Sequence, residues 1–309
     1  MSNQNLMDQE VILKDNNVLD VYYDVIRQNA HLFKNKTVLD LHCGLGLLSL
    51  FCAKFGGAKH IYAVDETNIV EQSRKIAEDN NFEDKITFYQ GKVEEIKLPV
   101  DKVDIIICQS AFGPCLFHKS KVADVIYARD RWLAPKGLIF PDQAVLYLDA
   151  IADKEMFEEK VAYFEDVEGF DMSCVKSIVS QNAIQDICYA NTMLNEEPAV
   201  LRKVDLFKLQ KQDLSFTVPF DIHFTESDYC YGFVAHFDVI FTKSHKTYTI
   251  STSPESDPTR FKQTIFLFNE LTELLPVSPG DNLSGTFTLD SDKSMVTITT
   301  NESTQKYLL

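Results

Sequence analysis

The chain has 309 residues, 45% of them apolar, which suffices for one large domain or two modest ones with real cores. Its formal net charge of −16 disfavours direct nucleic-acid binding and favours basic partners. No stretch approaches about 18 uncharged apolar residues, and Met1–Glu10 lacks a signal peptide's apolar core, so we expect neither a membrane span nor secretion. The seven cysteines are scattered, without C-x-x-C spacing, which indicates reduced intracellular thiols and argues against a zinc site.

Helical spacing over residues 7–34 predicts one or two helices before the first strand. The run Thr37–Leu41 is short and apolar, as a buried parallel strand requires, and Gly44 and Gly46 follow it before an apolar helical pattern. A strand, a glycine turn and a helix in this order present backbone N–H groups to a nucleotide-like ligand. The next strand ends at Asp65, the usual place of a carboxylate that binds ribose hydroxyls.

His42 stands in that turn at a position where ligand-binding loops of this kind carry glycine. The backbone torsion angles there exclude a Cβ, and the ligand passes close by. A histidine fits only if the torsion angles change, at a cost of about 1–3 kcal/mol, or if the ligand site is lost. The alternative is that His42 merely ends a strand and points to solvent.

Strand and helix patterns alternate up to Pro141, which predicts a parallel, doubly wound sheet. Beyond it, runs of alternating apolar and polar residues predict a mainly antiparallel barrel or sandwich. Lys154–Cys174 fits neither pattern: it is rich in charge and aromatic residues and has a helical character, which indicates a surface excursion or an arm that docks on another subunit. We therefore predict domains at residues 1–141 and 142–309, with the arm at about 154–174.

Several sequence blocks together resemble the protein arginine N-methyltransferases that make asymmetric dimethylarginine. These blocks, spread over nearly the whole chain, include VLDLHCGLG, GKVEEIKLPVDKVDIII, YARDRWLAPKGLIFPD, GFDMSC and STSPES. The resemblance implies an α/β architecture: a Rossmann-like domain for S-adenosylmethionine, then a mainly antiparallel β-barrel domain with a helical dimerisation arm. It also implies a cis peptide bond before Pro141.

In this family, two glutamates on a hairpin after the fourth strand hold the substrate guanidinium, because paired carboxylates orient the planar cation and can accept a proton. Their places hold Ser110 and Lys119 here, or Gln109 and Lys119 if the longer loop shifts the first position. Neither choice gives a carboxylate, and a lysine about 4 Å from a bound cation would repel it by about 4 kcal/mol. The family's Thr-His-Trp loop reads Thr-Arg-Phe, so that Arg260 adds a second cation.

The cofactor residues that the resemblance implies are retained only in part. The retained positions are Gly44, Gly46, Asp65 for the ribose and Glu94 near the adenine. His42 disrupts the turn, and Val18 stands where active members carry an arginine for the methionine carboxylate. The tyrosine motif of the lid helix is missing as well. We therefore expect weak or no binding of S-adenosylmethionine, no other cofactor and no metal.

The substitutions fall on the pocket, its supporting loop, the glycine turn and the lid, whereas IFPD, GFDMSC and STSPES are intact. This distribution favours a pseudoenzyme, not an enzyme: an activating prozyme subunit that forms a hetero-oligomer with an active arginine methyltransferase paralogue. The expected interface residues are Phe157, Tyr163, Phe164 and Phe170. Two alternatives stay open, a free-standing arginine N-methyltransferase with displaced catalytic residues and a scaffold for basic Arg/Gly-rich proteins. We expect the protein in the cytoplasm, with the nucleus as the alternative.

Overall fold

The computed structural model describes residues 3–268 and 274–309. Helices and strands alternate up to Pro141, as the apolar runs predict. The elements of this part are α1 (Asn3–Lys14), α2 (Asn16–Gln28), α3 (Ala30–Phe33), β1 (Thr37–Leu41), α4 (Leu47–Lys54), β2 (His60–Asp65), α5 (Val70–Asp79), β3 (Ile86–Gln90), β4 (Val103–Cys108), β5 (Phe112–Gly113), β6 (Leu116–Phe117), α6 (Lys119–Trp132) and β7 (Leu133–Phe140).

Five of these strands form a sheet in the order β3-β2-β1-β4-β7, in which every pair is parallel. All residues of β1 except Thr37 are buried, which explains why a central parallel strand reads as a continuous apolar run. The strand order reverses at β1, with β2 on one side and β4 on the other. Ligands of open α/β sheets bind in the crevice at such a point, outside the carboxyl ends of the strands.

The last strand of this sheet begins earlier than the sequence predicts. The sequence pattern predicts a helix from Lys119 to Leu133 and a strand from Leu138 to Phe140, whereas β7 already begins at Leu133. Pro135 is compatible with this strand because β7 lies at the edge of the sheet, where a missing N–H leaves no ladder bond unmade. The Phe140–Pro141 peptide bond is cis.

Antiparallel strands dominate the rest of the chain. Its elements are β8 (Gln143–Ile151), α7 (Lys154–Lys160), α8 (Lys176–Val179), β9 (Ile184–Asp186), β10 (Ala199–Asp205), β11 (Phe216–His223), β12 (Asp228–Cys230), β13 (Gly232–Phe241), β14 (Tyr248–Ser251), β15 (Gln263–Leu267), β16 (Leu275–Val277), β17 (Asn282–Asp290), β18 (Met295–Thr300) and β19 (Thr304–Leu308). One sheet has the order β10-β8-β13-β15-β9, with β14 paired to β13, and a second has the order β11-β17-β18-β19. The predicted fold class, a Rossmann-like domain followed by a mainly antiparallel barrel domain, is confirmed.

The segment after β8 is helical only in short pieces. Helix α7 is followed by the 3-10 helices Ala162–Glu165 and Ser173–Val175. Between these two pieces the chain turns, and Asp166 Oδ1 accepts a hydrogen bond of 2.8 Å from the Gly169 N–H. Among the described residues, no helix is long and apolar enough to cross a membrane.

Candidate cofactor and substrate site

A cavity of about 210 Å³, here called the turn cavity, lies at the carboxyl ends of β1, β2 and β4. The glycine turn and the end of β2 form one wall, and Gln9 and Ile12 of α1 form the opposite one. A second cavity of about 250 Å³, the Glu94 cavity, adjoins it and is lined by residues of the loop after β3. Asp65 and Glu66 line both. The predicted nucleotide-binding elements therefore meet at one crevice.

Both glycines of the turn have left-handed backbone conformations, with φ of +51° at Gly44 and +81° at Gly46. A Cβ on Gly44 would lie 2.3 Å from Oε1 of Gln9, so a larger residue at this position would displace the Gln9 side chain. The same Gln9 oxygen accepts a hydrogen bond of 3.2 Å from the Leu45 N–H. The amide oxygen of Gln9 thus occupies the position at which an oxygen atom of a bound ligand would accept a hydrogen bond from the turn.

The Asp65 carboxylate is directed at the protein itself. It accepts hydrogen bonds from the Gly44 N–H at 3.0 Å, from the Thr67 N–H at 2.9 Å and from the Thr67 hydroxyl at 2.7 Å. These contacts fix the turn against the end of β2. Glu66, which the sequence did not single out, lines both cavities as Asp65 does and is a second carboxylate available to ribose hydroxyls. Its position directly after Asp65 is the signal that could have identified it.

His42 adopts the left-handed conformation itself, with φ of +55°, and does not force the turn to change. Histidine is one of the few residue types that tolerate this region. Its side chain is only 9% exposed, so it does not point to solvent, and Nε2 lies 3.0 Å from Oδ2 of Asp124 without the alignment of a hydrogen bond. The ring lines the turn cavity and the Glu94 cavity alike, and therefore stands between them.

A third cavity of about 410 Å³, here called the hairpin cavity, lies beside the β5–β6 hairpin. It shares Ile12, Ser110 and Lys121 with the turn cavity, so the two spaces meet at these residues. Its lining includes three basic side chains, Lys121, Arg260 and Lys262, and among the residues that the structure describes no carboxylate lines it. Burial lowers the pKa of His118, a further lining residue, and the charges of Lys121 and Arg260 lower it further.

Arg260 is held in this cavity by contacts with the start of α2. Its backbone N–H donates to Oδ2 of Asp15 at 2.9 Å, and its Nη1 lies 3.7 Å from the same oxygen. The guanidinium lies 4.0 Å from the ring centre of Phe261. Burial lowers the pKa of Arg260 from its usual value. Its Nη1 has no hydrogen-bond partner in the part of the chain that the structure describes.

Only some of the other predicted pocket residues belong to the linings of the turn and hairpin cavities. The ammonium group of Lys119 pairs with Asp292, and Lys119 is absent from the linings of the turn and hairpin cavities, whereas Lys121 belongs to both. Residues two positions apart in a helix point in nearly opposite directions, which is why Lys119 and Lys121 of α6 differ in this way. Gln109 is buried and lines the turn cavity. Val18 is fully buried in the core of the Rossmann-like domain and belongs to neither lining.

The aromatic residues of the predicted arm fall into two groups. Phe157 is fully buried and packs on Tyr231, with ring centres 5.4 Å apart, within a second core cluster. Tyr163 and Phe170 are 55% and 67% exposed, and Phe164 is half-buried with its ring 5.5 Å from that of Tyr163. Phe157 thus anchors the segment to the barrel, and the other three form an aromatic surface, here called the arm patch.

Solved structures share this architecture. The enzyme–prozyme heterotetrameric complex of PRMT1 from Trypanosoma brucei with AdoHcy is 31% identical, with a TM-score of 0.89 over 97% of this chain and 98% of that chain. Protein arginine methyltransferase 10 of Arabidopsis thaliana is 24% identical, with a TM-score of 0.83 over 98% and 97%. The second likeness concerns the fold alone.

Sequence relatives are similar over most of their own length. Protein arginine N-methyltransferase 1 of Chlamydomonas reinhardtii is 44% identical over 276 residues, which cover 89% of this chain and 78% of the relative. The protein of the same name from Schizosaccharomyces pombe is 43% identical over 279 residues, covering 90% and 80%.

These comparisons correct two predictions. The chain was expected not to be an enzyme, but its relatives at 43% and 44% identity carry the name of one, so that prediction is wrong. The expectation of no cofactor is wrong as well, because the solved relative at 31% identity contains AdoHcy, the form of S-adenosylmethionine left after methyl transfer. Both predictions rested on the combined substitutions in the family's motifs, whereas the left-handed glycine turn and the adjoining cavities are present in the fold.

Models of two protein families match the chain. The methyltransferase domain matches residues 32–218, and the arginine methyltransferase oligomerization subdomain matches residues 142–300. Taken with the relatives above, these matches show that the chain belongs to the protein arginine N-methyltransferase family.

Proposed function

We propose that the chain transfers methyl groups from S-adenosylmethionine to protein arginine residues, as one subunit of an oligomer. The observation that carries this proposal is the meeting of the turn cavity and the hairpin cavity at Ser110 and Lys121. A methyl donor in the first cavity and a guanidinium in the second would be neighbours there, as a direct transfer requires. Relatives named as arginine methyltransferases support the reaction class.

The residues present fit the cofactor once Gln9 moves aside. Gly44 allows a ligand to approach the backbone closely, and withdrawal of the Gln9 amide frees the Leu45 N–H as a donor. Glu66 would accept hydrogen bonds from ribose hydroxyls, and Glu94 lines the adjoining cavity where the base would lie. When bound, S-adenosylmethionine supplies an activated methyl group.

Neutral groups would orient the acceptor. Ser110 lies at the junction of the cavities, and Gln109 lines the turn cavity beside it. Nε2 of Gln109 is buried without a hydrogen-bond partner in the described part of the chain. Amide and hydroxyl oxygens accept N–H bonds from a guanidinium, but they localise its charge less strongly than carboxylates do. We therefore expect turnover that is slow for this family.

Methyl transfer tests this function directly. The purified chain is incubated with S-adenosylmethionine and an Arg/Gly-rich peptide, and methylarginine is measured by mass spectrometry. We expect product above a control without protein, and roughly a tenfold to hundredfold loss with Ser110→Ala if its hydroxyl orients the acceptor. Absence of product from the chain alone and from every mixture with a paralogue would refute the proposal.

A second candidate function, supported by the exposed arm patch, is the activation of an arginine methyltransferase paralogue in a hetero-oligomer. The solved relative in an enzyme–prozyme heterotetramer is consistent with this regulatory role. If the chain has this role, it should copurify with a paralogue and raise the paralogue's turnover. A paralogue that is equally active alone would exclude the role.

The proposed domain organisation is a domain at residues 1–141, a barrel domain at 142–309 and an arm at about 154–174.

A further inference from the structure

A fourth cavity of about 460 Å³, here called the barrel cavity, lies on one face of the β8–β13 pair. No residue lines both this cavity and the hairpin cavity. Tyr147 of β8 lies directly opposite His236 of β13. Side chains two positions apart in a strand share a face, so Asp149 and Asp238 join these two residues. All four line the cavity, and the STSPES motif, which the proposed reaction leaves without a role, borders it through Ser251, Ser253, Pro254 and Glu255.

A buried polar network forms the floor of the cavity. Nε2 of His236 lies 2.9 Å from Oδ2 of Asp149, and the other oxygen of Asp149 accepts a hydrogen bond of 2.7 Å from Nδ2 of Asn195. His236 is 3% exposed and Asp149 is 4% exposed. The imidazole is stacked on Tyr147, with ring centres 5.0 Å apart and ring planes 14° apart. These contacts hold the histidine in one orientation.

One atom of this network is left without a partner. Nδ1 of His236 is buried and makes no hydrogen bond to any part of the chain that the structure describes. In the neutral tautomer that donates its Nε2–H to Asp149, this nitrogen carries a lone pair. A buried acceptor without a donor costs free energy, and a ligand with N–H groups in the cavity would relieve that cost.

The charge of the cavity is of one sign. Of the residues in the described ranges, five carboxylates and neither lysine nor arginine line it; the acidic residues are Asp149, Glu196, Glu226, Asp238 and Glu255. The Tyr147 hydroxyl donates to Oδ2 of Asp238 at 3.3 Å. Burial and the neighbouring Asp238 raise the pKa of Tyr147 to about 12, so the phenol remains a neutral donor and adds no further negative charge.

We propose that the barrel cavity binds an arginine side chain of a basic polypeptide, as a docking subsite separate from the hairpin cavity. The proposal rests on the proposed function for its ligand class, since a protein that methylates arginine encounters arginine-rich chains. It agrees with the net charge of −16, which favours basic partners.

Three features favour a guanidinium over an ammonium group. A planar guanidinium can lie against the flat surface of Tyr147. Its N–H groups form two parallel bonds to one carboxylate, such as Asp238 or Glu255. The remaining N–H groups can reach an acceptor such as Nδ1 of His236, which a single ammonium group engaged by a carboxylate satisfies less well.

The test measures binding without S-adenosylmethionine, so it is independent of whether the chain transfers methyl groups. A labelled Arg/Gly-rich peptide and two analogues, with lysine or neutral citrulline in place of arginine, are titrated by fluorescence anisotropy. The variant Asp238→Asn/Glu255→Gln removes two charges from the cavity. The matched control Glu83→Gln/Glu302→Gln removes two charges from exposed positions outside it.

We expect the cavity variant to weaken binding of the arginine peptide at least about tenfold and the control by less than about twofold. The citrulline and lysine peptides should bind the wild type at least about tenfold more weakly than the arginine peptide. Equal losses in both double variants would reduce the attraction to net charge and overturn the proposal. Equal binding of all three peptides would show that the cavity does not recognise a guanidinium, and would overturn it as well.

A second measurement needs no variant. On addition of arginine amide to the wild-type protein, the ¹⁵N resonance of His236 Nδ1 should shift toward the value of a hydrogen-bonded acceptor. An unchanged resonance at saturating arginine amide would overturn the proposal, even if the variants failed to fold.

Discussion

Two residues of β1 and its turn show how single side chains set the properties of the site. Asp40 is buried beside the turn and accepts a hydrogen bond of 2.6 Å from the Ser49 hydroxyl. Burial raises the pKa of Asp40 to about 7, despite this hydrogen bond. His42 divides the crevice two positions later. One residue therefore makes stability depend on pH, and the other limits the space for a ligand.

Asp40 should make the protein less stable as the pH rises toward neutrality. Its folded-state pKa of about 7 lies above the ordinary value of 3.8, so the folded state binds the proton more tightly than the unfolded state does. The stabilisation is full below about pH 4 and is lost as the pH passes through about 7. Between pH 5 and 7, urea titrations should show a fall of roughly 2 kcal/mol that Asp40→Asn lacks. A control at the exposed Asp84, Asp84→Asn, should keep the fall, and an identical fall in Asp40→Asn would contradict the assignment.

Replacing His42 with glycine should tighten binding of S-adenosylmethionine. The substitution removes the ring between the turn cavity and the Glu94 cavity and suits the backbone φ of +55°. We expect the dissociation constant to fall roughly tenfold, or about 1.4 kcal/mol, in calorimetric titrations. Lys136→Gly is the matched control, because Lys136 also has a left-handed φ, of +65°, but lies outside both cavities. Unchanged affinity in His42→Gly would show that the ring does not obstruct the ligand.

The two lysines of α6 should differ in their effect on the acceptor peptide. Lys121 lines the hairpin cavity and repels a guanidinium, whereas Lys119 is paired with Asp292 outside it. We expect Lys121→Gln to lower the KM for an Arg/Gly-rich peptide roughly threefold to tenfold. Lys119→Gln, which removes the same charge, should change it by less than about twofold. A larger effect of Lys119→Gln than of Lys121→Gln would show that Lys119 is the repulsive cation, as the sequence alone predicts.

At the scale of elements, a short segment serves both the core and the surface. Helix α7 buries Phe157 against the barrel, and the turn that follows exposes Tyr163 and Phe170. The sequence shows four aromatic residues in one segment but not which of them face inward. Because α7 ends at Lys160, its helical period does not continue to the later aromatic residues.

Truncation of the arm patch should weaken assembly without unfolding the protein. Exposed aromatic residues that become buried at an interface contribute about 2 kcal/mol or more each. Tyr163→Ala/Phe170→Ala should therefore raise the subunit dissociation constant by at least about a hundredfold in sedimentation experiments. Phe157→Ala should instead lower the free energy of unfolding by about 3–5 kcal/mol, because it opens a cavity in the core. An arm-patch variant that assembles like the wild type would rule out this surface as the interface.

At the scale of the whole molecule, the sequence predicts the architecture well because each half has its own hydrophobic period. The buried run of β1 and the alternating burial along β11 and β18 distinguish parallel from antiparallel sheets. The hydrophobic period of the sequence does not predict contacts that depend on the register of the strands. The pairing of Tyr147 with His236 across two strands is distant in sequence, and the barrel cavity is visible only once the strands are aligned.

The candidate site shows the same division. The sequence identifies Gly44 and Asp65, each of which adjoins a strand end, and the structure brings these two together. It does not identify Glu66 or Lys121, because their direction depends on the packing of a loop and on the phase of α6. Motif counting weighs side chains, whereas the left-handed glycine turn is a feature of the backbone.

Binding of S-adenosylmethionine by the purified chain tests the central claim most directly, because the claim is that the crevice over the glycine turn remains a cofactor site. Calorimetry should detect a single site per chain with a dissociation constant in the micromolar range, which is about −8 kcal/mol. Glu66→Gln should weaken it by about tenfold through the lost ribose contact, while Glu83→Gln, a control outside the crevice, should not. A titration without heat or displacement up to about 1 mM ligand would contradict the account.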